Sequence, residues 1–79
     1  MSSTETVTLN QIKKGMKFRV KRIADPSVRT QLIRFGVGEG STAHCFERIP
    51  FGPIIIKHGR QEVALGRDLT YHIWVEVLN

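Results

Sequence analysis

The stretch from residue 33 to residue 42, IRFGVGEGST, carries three glycines at every second position. A phosphate-binding glycine loop lies between a strand and a helix, because its turn must bring the phosphate to the helix N-terminus. This stretch has the opposite order, since it follows a predicted helix and precedes a predicted strand. It also lacks the lysine of a P-loop and has Ser41 where a dinucleotide loop has its third glycine. We therefore predict that Gly36 ends a helix and that Gly40 begins a strand.

The residues before this stretch, DPSVRTQLIRFG (25–36), have the pattern of a helix. Asp25 is placed to cap the free amides, Pro26 suits the first helical position, and Gly36 suits the left-handed conformation that often follows a helix. The spacing of the apolar residues predicts a buried stripe made of Val28, Leu32 and Phe35.

Before the helix, MKFRVKRI (16–23) alternates apolar and basic residues, as a half-buried strand does. The side predicted to face the core consists of Met16, Phe18 and Val20. The other side is cationic and consists of Lys17, Arg19 and Lys21. Because Ile23 is out of phase with Val20, we expect a β-bulge near residues 21 and 22.

The rest of the chain predicts short strands separated by turns. Residues 41–49 are expected to be extended, IIIK and QEVAL form a hairpin, and HIWVEVL is a final strand. Short helical turns are expected to begin at the N-caps Thr8 and Asp68. The structural turns are assigned to six residues, Gly36, Gly40, Gly52, Pro53, Gly59 and Gly66.

This tally predicts an all-β fold with one inserted helix, a small barrel of five strands, because closure removes the exposed edges of so short a sheet. Residues 1–7 are interpreted as a flexible N-terminal lead and residues 8–79 as one domain. The longest apolar run, III at 54–56, is far shorter than the roughly 20 residues that span a bilayer. The N-terminal residues lack the pattern of a secretion signal, so we expect a cytoplasmic protein.

The composition favours an acidic partner. Twelve lysines and arginines against seven acids give a net charge of +5 and a pI near 10. Such a charge suits an acidic protein surface, an anionic membrane or a nucleic acid. Lys17, Arg19 and Lys21 are therefore candidate partner-binding residues. Phe46 and Trp74 join them because each points away from the apolar side of its strand, either to pack under the helix or barrel ends or to form a protein-binding patch.

The sequence does not favour a metal centre or an enzyme. His44 and Cys45 are adjacent in a predicted strand, so they point to opposite faces and cannot share an ion. No pair of histidines or cysteines has the spacing of a zinc site, and Cys45 is interpreted as a small core residue. Neither a cofactor nor catalytic residues are predicted, although an iron site shared between chains stays open.

The ordered segments LNQIKKGMKFRVKRI, LIRFGVGEG and PFGPIIIKHGRQEVALGRDLTYHIWVEV resemble the FeoA family of ferrous iron transport accessory proteins. The resemblance extends from Thr8 to Val77. The family's leucine-glycine and proline-glycine pairs are replaced here by Phe35-Gly36 and Glu39-Gly40, which puts the turn geometry in doubt.

The resemblance implies an SH3-like barrel without catalytic activity that acts in the cytoplasm on the membrane iron transporter FeoB, on its GTP-binding or membrane-proximal part. It leaves open whether the protein activates, inhibits or assembles that transporter, and peripheral contact with the membrane surface is compatible with it. The residues alone also leave two alternatives: a basic barrel that binds nucleic acid, although no nucleic acid is expected, and a carrier that binds ferrous iron through His44, His58 or His72.

Overall fold

The computed structural model describes residues 6–78. In chain order these residues form six strands, one 3₁₀ turn and two helices: β1 (Thr6–Thr8), the 3₁₀ turn (Leu9–Gln11), β2 (Lys17–Ile23), α1 (Pro26–Ile33), β3 (Thr42–Arg48), β4 (Ile54–His58), β5 (Gln61–Leu65), α2 (Arg67–Thr70) and β6 (Ile73–Val77). The strands form one antiparallel sheet in the order β1-β6-β2-β3-β4-β5. The predicted class is confirmed: the fold is a small SH3-like barrel with one main helix.

The strand number differs from the prediction, because the structure has six strands rather than five. The additional strand is β1, which includes two residues of the expected N-terminal lead. A three-residue strand is too short to show an alternating pattern, and β1 is defined by its pairing with β6, at the far end of the sequence. Residues 1–5 of the expected lead lie outside the described residues.

The core lies on one side of the sheet and follows the predicted alternation. Phe18 and Val20 of β2 are buried, as are Ile73 and Val75 of β6 and the single cysteine, Cys45. The register between β2 and β6 shifts between Val20 and Arg22, which confirms the predicted bulge. The bulge returns Ile23 to the core, where it is fully buried.

Helix α1 begins as predicted. The Asp25 carboxylate accepts hydrogen bonds from the Ser27 and Val28 amides, and Pro26 takes the first helical position. Hydrogen bonds from the Ser27 side chain and amide lower the pKa of Asp25. The cap therefore holds a carboxylate in its charged form, which complements the positive end of the helix.

The end of α1 corrects one predicted core residue. Val28 and Leu32 are buried, but Phe35 is 42% exposed, because the helix ends at Ile33 and residue 35 lies in the following turn. Val37 is buried in its place. The Val37 amide donates to the Leu32 carbonyl and the Gly36 amide to the Ile33 carbonyl, which is the Schellman pattern. Gly36 has φ of 77°, as a residue in that position requires.

The two predicted N-caps of the shorter helical segments have different outcomes: Thr8 occupies the N-cap position of the 3₁₀ turn, whereas Asp68 is not the N-cap of α2. Thr8 caps no backbone amide, and its hydroxyl instead accepts from the Gln11 side chain. In α2 the N-cap position is Gly66, and Asp68 lies within the first turn. A carboxylate is favourable both at the N-cap and in the first turn, because both positions face the positive end of the helix. The sequence pattern alone therefore does not show which of these two positions Asp68 takes.

Candidate partner-binding surface

Three of the four basic residues of β2 are the candidate partner-binding residues, and they lie on the outer side of the sheet. Lys17, Arg19 and Lys21 are exposed, whereas Phe18 and Val20 between them are buried. The alternation of the strand therefore separates charge from core, as the sequence predicts. Whether these residues bind a partner stays a prediction.

A partly buried acid on the same outer face of the neighbouring strand β6 offsets part of this charge. Arg19 pairs with Glu76 across the β2–β6 ladder, and the Arg19 Nη1 atom lies 3.6 Å from Glu76 Oε1. The Lys21 Nζ atom lies 3.9 Å from the same oxygen. Such exposed pairs contribute about 0–1 kcal/mol to stability. Their larger consequence is that one carboxylate offsets part of the positive charge at this end of β2.

The positive charge continues across the sheet in the other direction. Lys17 is paired with His44 on β3, and His44 is paired with Lys57 on β4. Residues paired across strands share a face, so these three side chains form a row. We call the outer surface formed by Lys17, Arg19, Lys21, His44 and Lys57 the basic face.

The basic face includes an open cleft of about 360 Å³. The residues that line it are Lys17, Thr42, Ala43, His44, Lys57, Gly59 and Leu78. No acidic residue is among them. His44 and Lys57 were not among the predicted partner-binding residues. They lie next to Lys17 only because of the register of β2, β3 and β4, which cannot be predicted from the sequence pattern.

The two candidate aromatic residues do not form one patch. Phe46 is 41% exposed and Trp74 is 39% exposed, so packing covers more than half of each. Trp74 is paired with Arg22 near the end of β2, whereas Phe46 lies beyond His44, which pairs with the beginning of β2. Phe46 instead contacts Lys57, whose Nζ atom lies 5.4 Å from the ring centroid. It therefore extends the basic face, and Trp74 lies apart.

The backbone amides of the glycine-rich stretch form hydrogen bonds within the fold. The Gly40 amide donates to the Val20 carbonyl at 2.7 Å, and the Gly38 amide donates to the Ser41 hydroxyl at 2.9 Å. Gly40 has φ of 95°, whereas Gly38 has no positive φ. Amides that already have partners do not form a phosphate cradle, which agrees with the prediction that this stretch connects α1 to β3.

Glu39 stabilises the same connection. Its carboxylate oxygen Oε2 accepts a hydrogen bond from the Ile23 amide at 3.1 Å and lies 3.3 Å from Arg29 Nη2. The same Arg29 nitrogen donates to the Ile23 carbonyl at 2.9 Å. The glutamate that replaces the expected proline thus joins the end of β2 to α1, so this substitution is accommodated by side-chain contacts rather than by a rigid ring.

The remaining turn residues each have a local role. Gly59 has φ of 62° in the β4–β5 hairpin. A Cβ atom on Gly52 would lie 2.9 Å from the Ile49 side chain, and the Pro53 carbonyl accepts from the Ile49 amide at 3.1 Å. Gly66 occupies the N-cap position of α2.

The possible metal ligands are dispersed. Across residues 6–78 no three histidine, cysteine, aspartate or glutamate side chains lie close enough together to hold a metal ion. His58 Nδ1 lies 2.9 Å from the Thr42 carbonyl oxygen, which orients its ring. Cys45 is buried, and burial raises the pKa of its thiol. No helix within residues 6–78 is long and apolar enough to cross a membrane.

These features define a small β-barrel domain of the SH3-like class with a cationic outer face. The family model for the FeoA domain matches residues 7–77. The chain therefore belongs to the FeoA family, whose members are linked to ferrous iron transport.

Solved structures agree with this assignment. A crystal structure of an iron uptake regulatory protein (FeoA) is 32% identical, with a TM-score of 0.84, over 94% of this chain and 99% of that one. The FeoA protein from Chlorobium tepidum is 25% identical, with a TM-score of 0.83, over 92% of this chain and 71% of that one. No curated protein sequence matches the chain.

The same fold also occurs within a larger protein. A manganese-dependent transcriptional repressor is 26% identical, with a TM-score of 0.84, over 99% of this chain but only 45% of that one. The present chain therefore corresponds to less than half of the repressor.

Proposed function

We propose that this protein is a non-catalytic binding module of the cytoplasm that supports ferrous iron uptake by docking onto the cytoplasmic part of the FeoB transporter. The observation that carries the proposal is the basic face, a continuous cationic surface across β2, β3 and β4. Its cleft is lined by Lys17, His44 and Lys57 and by no acid. An acidic protein surface next to the membrane would complement it.

The separation of the aromatic residues favours a protein partner over single-stranded nucleic acid. Proteins that bind single strands stack successive bases on neighbouring aromatic rings along a basic groove. Here Phe46 contacts Lys57, while Trp74 lies on β6, where it is paired with Arg22 near the end of β2. The basic face therefore offers charge with one aromatic ring rather than a stacking track.

The experiment compares binding of the purified cytoplasmic region of the transporter to the wild type and to Lys17→Glu/Arg19→Glu. We expect the double variant to lose most of the binding at low salt, because it reverses two charges of the basic face. Lys13→Glu/Arg34→Glu is the matched control, since both residues are exposed and lie outside β2, β3 and β4. It changes the net charge by the same amount.

The proposal is overturned if both double variants bind as the wild type does, or if both lose binding equally. A parallel titration with a single-stranded oligonucleotide tests the nucleic-acid alternative. Binding to that oligonucleotide at physiological salt, with the log-log salt dependence that counterion release produces, would replace the present proposal.

A further inference from the structure

The turn between β3 and β4 has an unusual residue at its tip. The Gly52 amide donates to the Ile49 carbonyl at 2.8 Å, which closes a four-residue turn with Pro50 and Phe51 in the middle. Phe51 has φ of 60° and is the one residue other than glycine with a positive φ among residues 6–78. The third position of a type II turn requires that conformation and favours glycine or asparagine there.

The phenyl ring of Phe51 has no role in the packing of the fold. Phe51 is 103% exposed, whereas the next most exposed large apolar residue, Ile33, is 59% exposed. A strained backbone and an uncovered aromatic ring are both unfavourable for the isolated domain. Their combination at one position indicates that the ring is used in a contact with another molecule.

A polar group lies beside the ring. Pro50, Phe51 and Arg67 border an open depression of about 510 Å³. Arg67 Nη2 donates to the Ile49 carbonyl at 3.1 Å, which holds the guanidinium against the turn. Arg67 Nε is shielded from solvent and has no hydrogen-bond partner among residues 6–78. The depression thus combines apolar walls with a fixed cation.

We propose that this turn and Arg67 form a docking site for an acidic segment of another protein. An apolar side chain of that segment enters the depression against Phe51, and a neighbouring carboxylate pairs with Arg67. The net charge of +5 favours an acidic segment over a second copy of this chain, which would be repelled. A shaped depression also fits a side chain better than it fits a lipid surface.

This site is separate from the basic face. Phe51 lies before the first residue of β4, whereas Lys57 lies near the end of that strand. The proposal therefore does not depend on the basic face or on the transporter, and each can fail without the other.

The test selects peptides from a random phage-displayed library on the full-length protein and measures the binding of the selected peptides by fluorescence anisotropy. We expect the selected peptides to pair an apolar residue with a neighbouring aspartate or glutamate. Phe51→Ser and Arg67→Gln should each weaken their binding by about tenfold or more, as the loss of an anchor residue does. Phe35→Ser and Arg60→Gln are the matched controls, because both residues are exposed and lie outside the depression and the basic face, and they should change it less than about twofold.

Several outcomes would overturn the proposal: no enriched peptide, enriched peptides without acidic residues, or equal binding to Phe51→Ser and the wild type. Phe51-dependent binding to phosphatidylcholine/phosphatidylglycerol vesicles would assign the ring to a membrane instead. A Phe51-dependent dimer in sedimentation equilibrium would assign it to a second copy. Lys17→Glu/Arg19→Glu should leave peptide binding unchanged, which distinguishes this site from the basic face.

Discussion

The two turns that flank β3 solve the same backbone problem with different residues. The stretch before β3 uses Gly36 and Gly40 where φ is positive, and the turn after β3 uses Phe51. In the first stretch the amides and Glu39 are bonded within the fold, whereas in the second turn the ring projects fully into solvent. The residues of the connection before β3 stabilise the fold, whereas the turn after β3 carries a side chain that is unfavourable for the isolated domain and that we propose contacts another protein.

The first turn is most severely tested by Gly40→Val. A β-branched residue at φ of 95° should lower the free energy of unfolding by roughly 1–3 kcal/mol. Urea unfolding measures the change. Gly38→Val is the matched control, because Gly38 has no positive φ and open space around its Cβ position. Equal losses in the two variants would show that conformation at Gly40 is not the cause.

The helix end is tested by Gly36→Ala. We expect a loss of about 1 kcal/mol, because alanine is disfavoured at φ of 77°. The melting temperature should fall by about 4–8 °C, as measured by circular dichroism. An unchanged melting temperature would contradict the Schellman ending of α1.

The second turn is tested by Phe51→Gly, which should change the free energy of unfolding in the opposite direction to the glycine substitutions. Removal of the strained residue should raise the free energy of unfolding by up to about 1 kcal/mol, less the entropy that glycine adds to the unfolded chain. Phe46→Gly, in a strand and in contact with Lys57, should lower it. Losses of similar size in both variants would show that Phe51 serves the stability of the fold.

The stability of α1, the helix that leads into the first turn, should depend on pH. The pKa of Asp25 is lowered in the folded protein, so its stabilising effect is present above the ordinary aspartate pKa. That effect is lost as the pH falls through the lowered pKa. Asp25→Asn should therefore be less stable than the wild type at neutral pH, and the difference should shrink in acid. Thermal unfolding of both proteins across the acid pH range measures this difference. A difference in melting temperature that does not change with pH would show that the charge of Asp25 has no role.

The smallest effect is expected at Cys45, which lies in β3 between the two turns. Its thiol is buried and its pKa is raised by that burial, so iodoacetamide should label it slowly in the native protein and rapidly in urea. Gly40→Val should speed the native labelling, whereas Phe51→Gly should not. Mass spectrometry measures both rates, and rapid labelling of the wild type would show that β3 opens readily.

The features that the sequence predicted correctly depend on neighbouring residues. The alternation in β2, its bulge and the cap formed by Asp25 are all expressed within a few positions of the chain. The Gly36 helix end has the same local character. Phe35 was misplaced because the helix stopped two residues earlier than its apolar spacing suggested, and Val37 took the core position.

The features that were missed depend on distant pairing. Strand β1 exists through its bonds to β6, and the cationic row joins Lys17 to Lys57 only through the register of β3. No pattern within ten residues encodes these arrangements, so the sequence identified three of the five residues of the basic face and missed His44 and Lys57.

The sheet order has a consequence for how the protein is made. Strand β6 lies between β1 and β2, although it is the last strand of the described chain. During synthesis, at about 5–20 residues per second, the β2–β5 segments can pair with partners that have already emerged. Strand β1 must wait for β6, and so must the free edge of β2. When β6 inserts, it pairs with β1 and β2 at once and so joins the first strand to the rest of the sheet.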